Sequence, residues 1–412
     1  MLQAKSSPPP SNLPVSPPAN PQALVVVNSM EDVMQATEDC GEKFKLVPST
    51  ISAIEEFQTD GFAQKFGTPP GGAAIDGADV LDSLTALFSQ HNIPIGMINK
   101  LKMLVNYRLN MIIDDSGSMK KASDQLFSTA HPFVQKLPRR FLAQPDYRFS
   151  RDGDPTYMTR YEEALQRLVI LFEILGHIPT QPITLSTLNN TKPITLTHEG
   201  QSPQVFTLMA HQKLLEIFSL EPRYCTPTYR ALKNAFDSNP GVLTVHYLFT
   251  DGVPYNGEDP YENVKTVAHL IKTRANPYYN ALTLISCTDV DSECEWMKVV
   301  EEEGPYTAEV DDFNSEMKEV IKDQGPAMPY SYGFWLVCHL VAAICPDDLD
   351  AMDEDMPFTL AIFSNVVGRQ LTPQEYSNYW STHPNARKYN NYYHQFVTDA
   401  TRTAKQIVGI AK

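Results

Sequence analysis

The sequence predicts an α/β protein built on a doubly wound, mainly parallel sheet flanked by helices. Two observations carry that reading. Short apolar runs rich in β-branched and aromatic residues alternate along the chain with longer windows whose apolar positions recur at helical spacing. Several of those short runs are apolar throughout, as expected of strands covered on both faces by crossover helices.

In chain order, the strand segments are LNMIID (109–114), ITLSTLN (183–189), QVFTL (204–208), VLTVHYLFTD (242–251), ALTLISC (281–287) and YTAEV (306–310). The amphipathic helical windows are TRYEEALQRLVILFEIL (159–175), MAHQKLLEIFSL (209–220), TYRALKNAF (228–236), PYENVKTVAHLIKTRA (260–275), ECEWMKVVEEE (293–303) and NSEMKEVIKD (314–323). Together they define an α/β domain over 95–325.

The flanking segments read differently. Residues 1–22 are rich in Pro, Ser and Asn with no apolar h-region, which predicts a disordered leader rather than a secretory signal. Residues 23–94 form an N-terminal extension of mixed α/β or helical character: a short strand, a helix from about Ser29, a second short strand, the loop FGTPPGGAAIDG and the helix ADVLDSLTALFSQ (78–90). The window IGMINKLKMLVN (95–106) reads as a helix leading into the first strand of the domain. Residues 120–158 are an insertion, since a strand-to-helix connection usually takes about 2–6 residues. A C-terminal helical region spans 326–412; it holds an apolar helix at 334–345, the acidic stretch PDDLDAMDED, a helix start capped by Thr372, Pro373 and Glu375, and a last helix through NYYHQFVTDATRTAKQIVGI.

The formal net charge of −16 argues against a general nucleic-acid or anionic-membrane surface, because phosphates attract Lys and Arg. Six scattered cysteines with no CxxC pair suggest neither a disulfide framework nor a zinc site, and point to a reducing, cytoplasmic compartment. The apolar run at 334–345 is shorter than the roughly 20 residues a membrane span needs, so no transmembrane segment is expected. His339, inside that run, reads as a satisfied core residue, and nothing in the sequence sets the oligomeric state.

Three places carry oxygen donors where a doubly wound sheet gathers its ligands, beyond the carboxyl ends of the strands. The first strand runs into Asp114-Asp115-Ser116-Gly117-Ser118, the segment YCTPTYRAL offers Thr226 at a helix start, and VHYLFTD delivers Asp251 followed by Gly252. Each alone reads equally well as a turn or a helix cap. Their conjunction favours a hard divalent cation, which takes oxygen ligands.

In these three stretches the chain resembles the von Willebrand factor A domain family, whose metal-ion-dependent adhesion site is written Asp-x-Ser-x-Ser, then Thr, then Asp-Gly. The resemblance covers roughly 95–325. It implies that Ser116, Ser118 and Thr226 touch the ion through hydroxyls, with Asp114 and Asp251 acting directly or through water. The implied cofactor is Mg2+, with Mn2+ or Ca2+ as alternatives. Asp115, at the variable position, is a candidate for standing behind the ion. Where many members carry glycines beside the Thr loop, this chain has Tyr224, Cys225 and Tyr229, bulky groups expected to narrow access.

The function implied by the resemblance is binding rather than turnover: a protein partner completes the ion's coordination with an exposed Asp or Glu. Arg139, Arg140 and Arg148 in the basic, aromatic insertion are candidate contacts for that partner, although most of the insertion reads as packing and solvated cations. Two alternatives stay open, a hydrolase that uses the same ion to activate water, and a scaffold with a vestigial site. No nucleophile elbow, Walker loop or HExxH supports the first. DVDSECE has Cys294 where an EF-hand loop needs glycine, so its acids read as a helix start.

Overall fold

The computed structural model describes residues 45–409, apart from 71, 73, 137–138, 140–150, 191, 239, 260, 346–351 and 353–354. Its central sheet has six strands: β1 (Arg108–Ile113), β2 (Ile183–Thr187), β3 (Ile194–Leu196), β4 (Thr244–Thr250), β5 (Asn280–Ser286) and β6 (Thr307–Val310). They lie in the order β3–β2–β1–β4–β5–β6, all parallel except edge strand β3, which runs antiparallel to β2. The chain therefore builds outward from β1, first to one side and then to the other. β1 and β4 are neighbours where the direction reverses, with Ile113 opposite Phe249.

Strand alternation sends side chains into two cores. Leu109, Met111 and Ile113 of β1 join Val245, Tyr247 and Phe249 of β4 in the larger one, whereas Ile112, Leu248, Leu282 and Leu284 face the smaller. The main helices are α1 (Pro48–Gln58), α2 (Gly77–Gln90), α3 (Arg160–Leu175), α4 (Pro203–Phe218), α5 (Thr228–Ser238), α6 (Val264–Thr273), α7 (Asp291–Glu303), α8 (Phe313–Gln324), α9 (Tyr332–Val341), α10 (Leu360–Val367) and α11 (Pro373–Thr382). α5, α6 and α7 close the smaller core through Leu232, Val267, Ile271 and Met297. α3, α4 and α9 cover the other face, and the same apolar cluster continues from Leu46 to Ile407, so the flanking regions pack onto the sheet's own core.

α3 is nearly all buried, and its start is defined by a capping box in which Thr159 accepts from Glu162 N and Glu162 accepts from Thr159 N. Within it the fully buried Arg167 pairs with Glu163, donates to the Ser286 carbonyl at 2.5 Å and stacks on Trp335.

Several sequence expectations need correction. QVFTL (204–208) is not a strand; it lies inside α4, because Ser202 accepts from Val205 N and Pro203 sits at the first helical position, starting the helix before the apolar pattern suggests. The window 95–106 is helical but divided into a 3-10 turn (Ile95–Met97), a short α-helix (Ile98–Leu101) and a second 3-10 segment (Lys102–Asn106). The last helix is broken: Tyr393–Thr398 ends where Asp399 accepts from the backbone N–H groups of Thr401 and Arg402, and only Ala404–Ile407 resumes. The helix in 260–275 begins at Val264, with Asn263 as its cap. Helices α1 and α10 and edge strand β3 were not foreseen.

The second short strand of the extension is Lys45–Leu46, which pairs antiparallel with Arg369–Gln370. The leader and the helix from Ser29 lie outside the described residues. The insertion opens and closes as an antiparallel ribbon, Ala122–Leu126 against Tyr157–Thr159. Phe127 and Phe133 from it pack against the larger core. Among the described residues no helix is long and apolar enough to cross a membrane.

Candidate functional site

β1 ends at Ile113, and the chain then leaves the carboxyl edge of the sheet. Asp114, fully buried, stays level with β4 because its N–H donates to the Phe249 carbonyl at 2.8 Å. Its Oδ1 accepts from Ser116 N at 2.8 Å and its Oδ2 from Thr250 Oγ1 at 2.5 Å, so the carboxylate shapes the loop that follows it. That loop turns Ser116 Oγ and Ser118 Oγ to within 3.0 Å of each other. Ser118 Oγ in turn donates to Oδ1 of buried Asp251 at 2.8 Å.

Thr226 reaches the same place from the loop before α5. Its backbone is fixed by a two-way bridge to Tyr255, Thr226 N to Tyr255 O at 2.9 Å and Tyr255 N to Thr226 O at 3.1 Å. Gly252 marks where its hydroxyl lies: a Cβ built there would stand 3.7 Å from Ser118 Oγ and 3.8 Å from Thr226 Oγ1. Asp114, Ser116, Ser118, Thr226 and Asp251, spread over 138 positions of sequence, thus converge in one oxygen-lined cradle at the carboxyl ends of β1 and β4.

The electrostatics of the cradle call for positive charge. Burial first, and then the neighbouring Asp251 carboxylate, push the Asp114 carboxyl above its ordinary range, against the hydrogen bonds from Thr250 and Ser116. Among the described residues no group of three or more His, Cys, Asp and Glu comes together as a metal site. The donors here are two carboxylates and three hydroxyls, a set that fits a hard, oxygen-seeking ion such as Mg2+ with water filling the remaining positions.

Part of that positive charge is already built in. Arg160, the first residue of α3 and 1% exposed, donates from Nη1 to Asp251 Oδ2 at 2.8 Å and to Glu293 Oε2 at 2.7 Å. Glu293 also accepts from Lys121 Nζ at 3.0 Å and from Thr288 Oγ1 at 3.1 Å. These residues, together with Thr250, were absent from the sequence-derived set. The available signal was Arg160 itself, because the first turn of a helix favours acids and a cation there needs a reason.

Other expected residues stand apart from the cradle. The Asp115 carboxylate is turned to the end of β2, where it accepts from Thr187 Oγ1 at 2.7 Å and from Asn189 N and Nδ2 at 3.0 and 2.9 Å. Arg139 holds the insertion to itself: Nε and Nη2 donate to the Glu162 carboxylate at 3.0 and 2.8 Å, the guanidinium also reaches the carbonyls of Pro155 and Tyr157, and it stacks on Phe127. Arg140 and Arg148 lie outside the described residues. His339 is buried and bonds the Trp335 carbonyl through Nδ1 at 2.9 Å, but its Nε2 has no hydrogen-bond partner, so it is satisfied at one nitrogen only.

The expected crowding by tyrosines takes a different form. Tyr224 has φ +77° and is 70% exposed, so its ring projects into solvent while the backbone of Arg223 and Tyr224 braces the loop after β1: Gly117 N donates to Tyr224 O at 3.3 Å and Arg223 N to Asp115 O at 2.7 Å. Tyr229 stacks on Tyr261, and its N–H is capped by Glu262 at 2.8 Å.

No protein-family model matches the chain, and no curated protein does. Among solved structures, the PilB minor pilin from Streptococcus sanguinis aligns with 14% identity over 51% of this chain and 57% of that one, at a TM-score of 0.34. The chain thus spans little more than half the length of that structure, and at that TM-score the likeness carries no argument about fold or function.

Proposed function

We propose that the chain is a metal-dependent protein-interaction module of the von Willebrand factor A type, in which a divalent cation held by Asp114, Ser116, Ser118, Thr226 and Asp251 receives an Asp or Glu carboxylate from a partner protein. The observation that carries this reading is the convergence of those five residues in a single oxygen cradle at the switch point of the sheet. The finer fold assignment is supported by the strand order with its one antiparallel edge strand. Hydroxyls contribute little charge, so an ion held this way keeps Lewis acidity for an incoming carboxylate. Mg2+ is the first candidate ion, and a cytoplasmic location belongs to the same proposal, supported by the free thiols of Cys225, Cys287, Cys294 and Cys338.

The test is affinity capture from extract with wild type and Asp114→Ala, each in Mg2+ and in chelator. The expected outcome is an acidic-surfaced partner retained only by wild type in Mg2+. Partner retention that ignores both the chelator and the substitution would overturn the reading.

A further inference from the structure

Arg160 has no place in the five-residue cradle, yet it is the most deeply buried cation that touches it. Its guanidinium takes Asp251 Oδ2, leaving Oδ1 as the oxygen that faces Ser118 and the cradle. Its second acceptor, Glu293, lies on α7 and is shared with Lys121 from the start of the insertion. Side chains from β1's loop, β4's end, α3, α7 and the insertion are therefore wired into one charge network.

In their ionised forms the groups of that network are of two kinds. Asp114, Asp251 and Glu293 are the acids; Arg160 and Lys121 are the cations. Summed over these five described groups in their ionised forms, the charge is a single negative one, whereas the two cradle carboxylates alone would offer two. A divalent ion entering this network is thus over-neutralised by one positive charge, which a single carboxylate ligand restores to balance. Arginine is suited to this role because it stays charged even when buried, and here a single nitrogen, Nη1, serves both acceptors.

We propose that Arg160 is a resident counter-charge that holds the cradle's affinity for a divalent cation low until a carboxylate ligand arrives, so that cation and acidic partner bind cooperatively. This rests on the reading of the cradle as a cation site and adds how that site is regulated. Coupling of this kind is a free energy shared by the two ligands: whatever the carboxylate does for the ion, the ion does for the carboxylate.

The experiment is calorimetric titration of the full chain with Mg2+, without and with saturating acetate as the carboxylate probe. Wild type is expected to bind Mg2+ weakly and to gain affinity several-fold in acetate. Arg160→Gln is expected to bind Mg2+ alone about tenfold or more tightly, as the removal of one nearby positive charge dictates, and to lose most of the acetate effect. Arg160→Lys, which keeps the charge, should stay near wild type. Glu293→Gln is expected to move the other way, weakening Mg2+ several-fold because Arg160 then bears on Asp251 alone; since Arg160 is intact there, this sign is readable even if Arg160→Gln does not fold. If wild type binds Mg2+ but Arg160→Gln binds it no better, or Glu293→Gln binds it no worse, the counter-charge role is overturned while the cation site stands. If neither wild type nor any variant binds Mg2+ or Mn2+ at millimolar concentration, the cation site itself fails and the role of Arg160 with it.

Discussion

At the level of single residues, the cradle is defined as much by what is missing as by its donors. Gly252 leaves open the space faced by Ser118 Oγ and Thr226 Oγ1, and a methyl there meets them only at ordinary contact distance. Gly252→Ala should therefore change folding stability by less than about 0.5 kcal/mol while abolishing the rise in melting temperature on adding Mg2+. A retained Mg2+ response in that variant would place the ion elsewhere. Tyr224 presents the opposite case, a bulky residue at φ +77° where glycine is at home. Tyr224→Gly should raise stability by about 0.5–1 kcal/mol, seen as a higher urea midpoint with an unchanged slope; a lower midpoint would mean that the exposed ring contributes contacts of its own. Asp114, Ser116, Ser118, Thr226 and Asp251 were legible in the sequence because they match, type by type and in chain order, the motif of the family the chain resembles. Arg160 was not, because nothing local in TRYEE tells that its first turn abuts the end of a strand 91 residues away.

At the level of elements, α3 links the core to the cradle. Its capping box fixes where the helix begins and hence where Arg160 points, so Thr159→Ala should cost about 1 kcal/mol and also alter Mg2+ affinity, whereas the equivalent loss at the distant capping box, Thr372→Ala, should cost a similar amount and leave Mg2+ affinity alone. Urea melts and Mg2+ titrations on the two variants check this; equal Mg2+ responses would detach α3 from the site. Elements with long, consistent patterns were readable: α3, α7, α8, β4 and β5 fall close to their sequence windows. Short ones were not. QVFTL is a short run with β-branched and aromatic residues, as strands have, but the Ser202-Pro203 start outweighs that composition once the helix can continue through Phe218. β3 has three residues and only one buried side chain, Leu196, so its register comes from pairing with β2 rather than from its own sequence.

At the level of the whole molecule, burial has consequences for pH. His177, His198 and His246 are pushed down to about 4 by burial first, and His339 to about 3 by burial and then by Arg167. Each stays neutral in the folded chain at pH 5 but takes up a proton on unfolding, where its ordinary value is 6.5. The stability these groups contribute is complete above about pH 6.5 and is lost as the pH falls from there toward 4, by about 1.4 kcal/mol per pH unit for each histidine. The four histidines should thus lower the melting temperature between pH 6.5 and 5, partly offset by the buried carboxyls of Asp114 and Asp312, which are pushed up and take protons in the folded chain over the same range; a melting temperature that rises as the pH falls through that range would contradict the burial of these rings. The parallel sheet brings Asp114 and Asp251 together because β1 and β4 are adjacent at the reversal in strand order, a long-range fact that follows from topology and that no local pattern encodes. Whether that convergence holds an ion is tested most directly by titrating the chain with Mn2+ and following the electron paramagnetic resonance signal of the free ion. The account predicts one bound Mn2+ per chain in wild type, competed by Mg2+ and lost in Asp114→Ala; a signal equally undiminished in wild type and variant, or equally diminished in both, would contradict it.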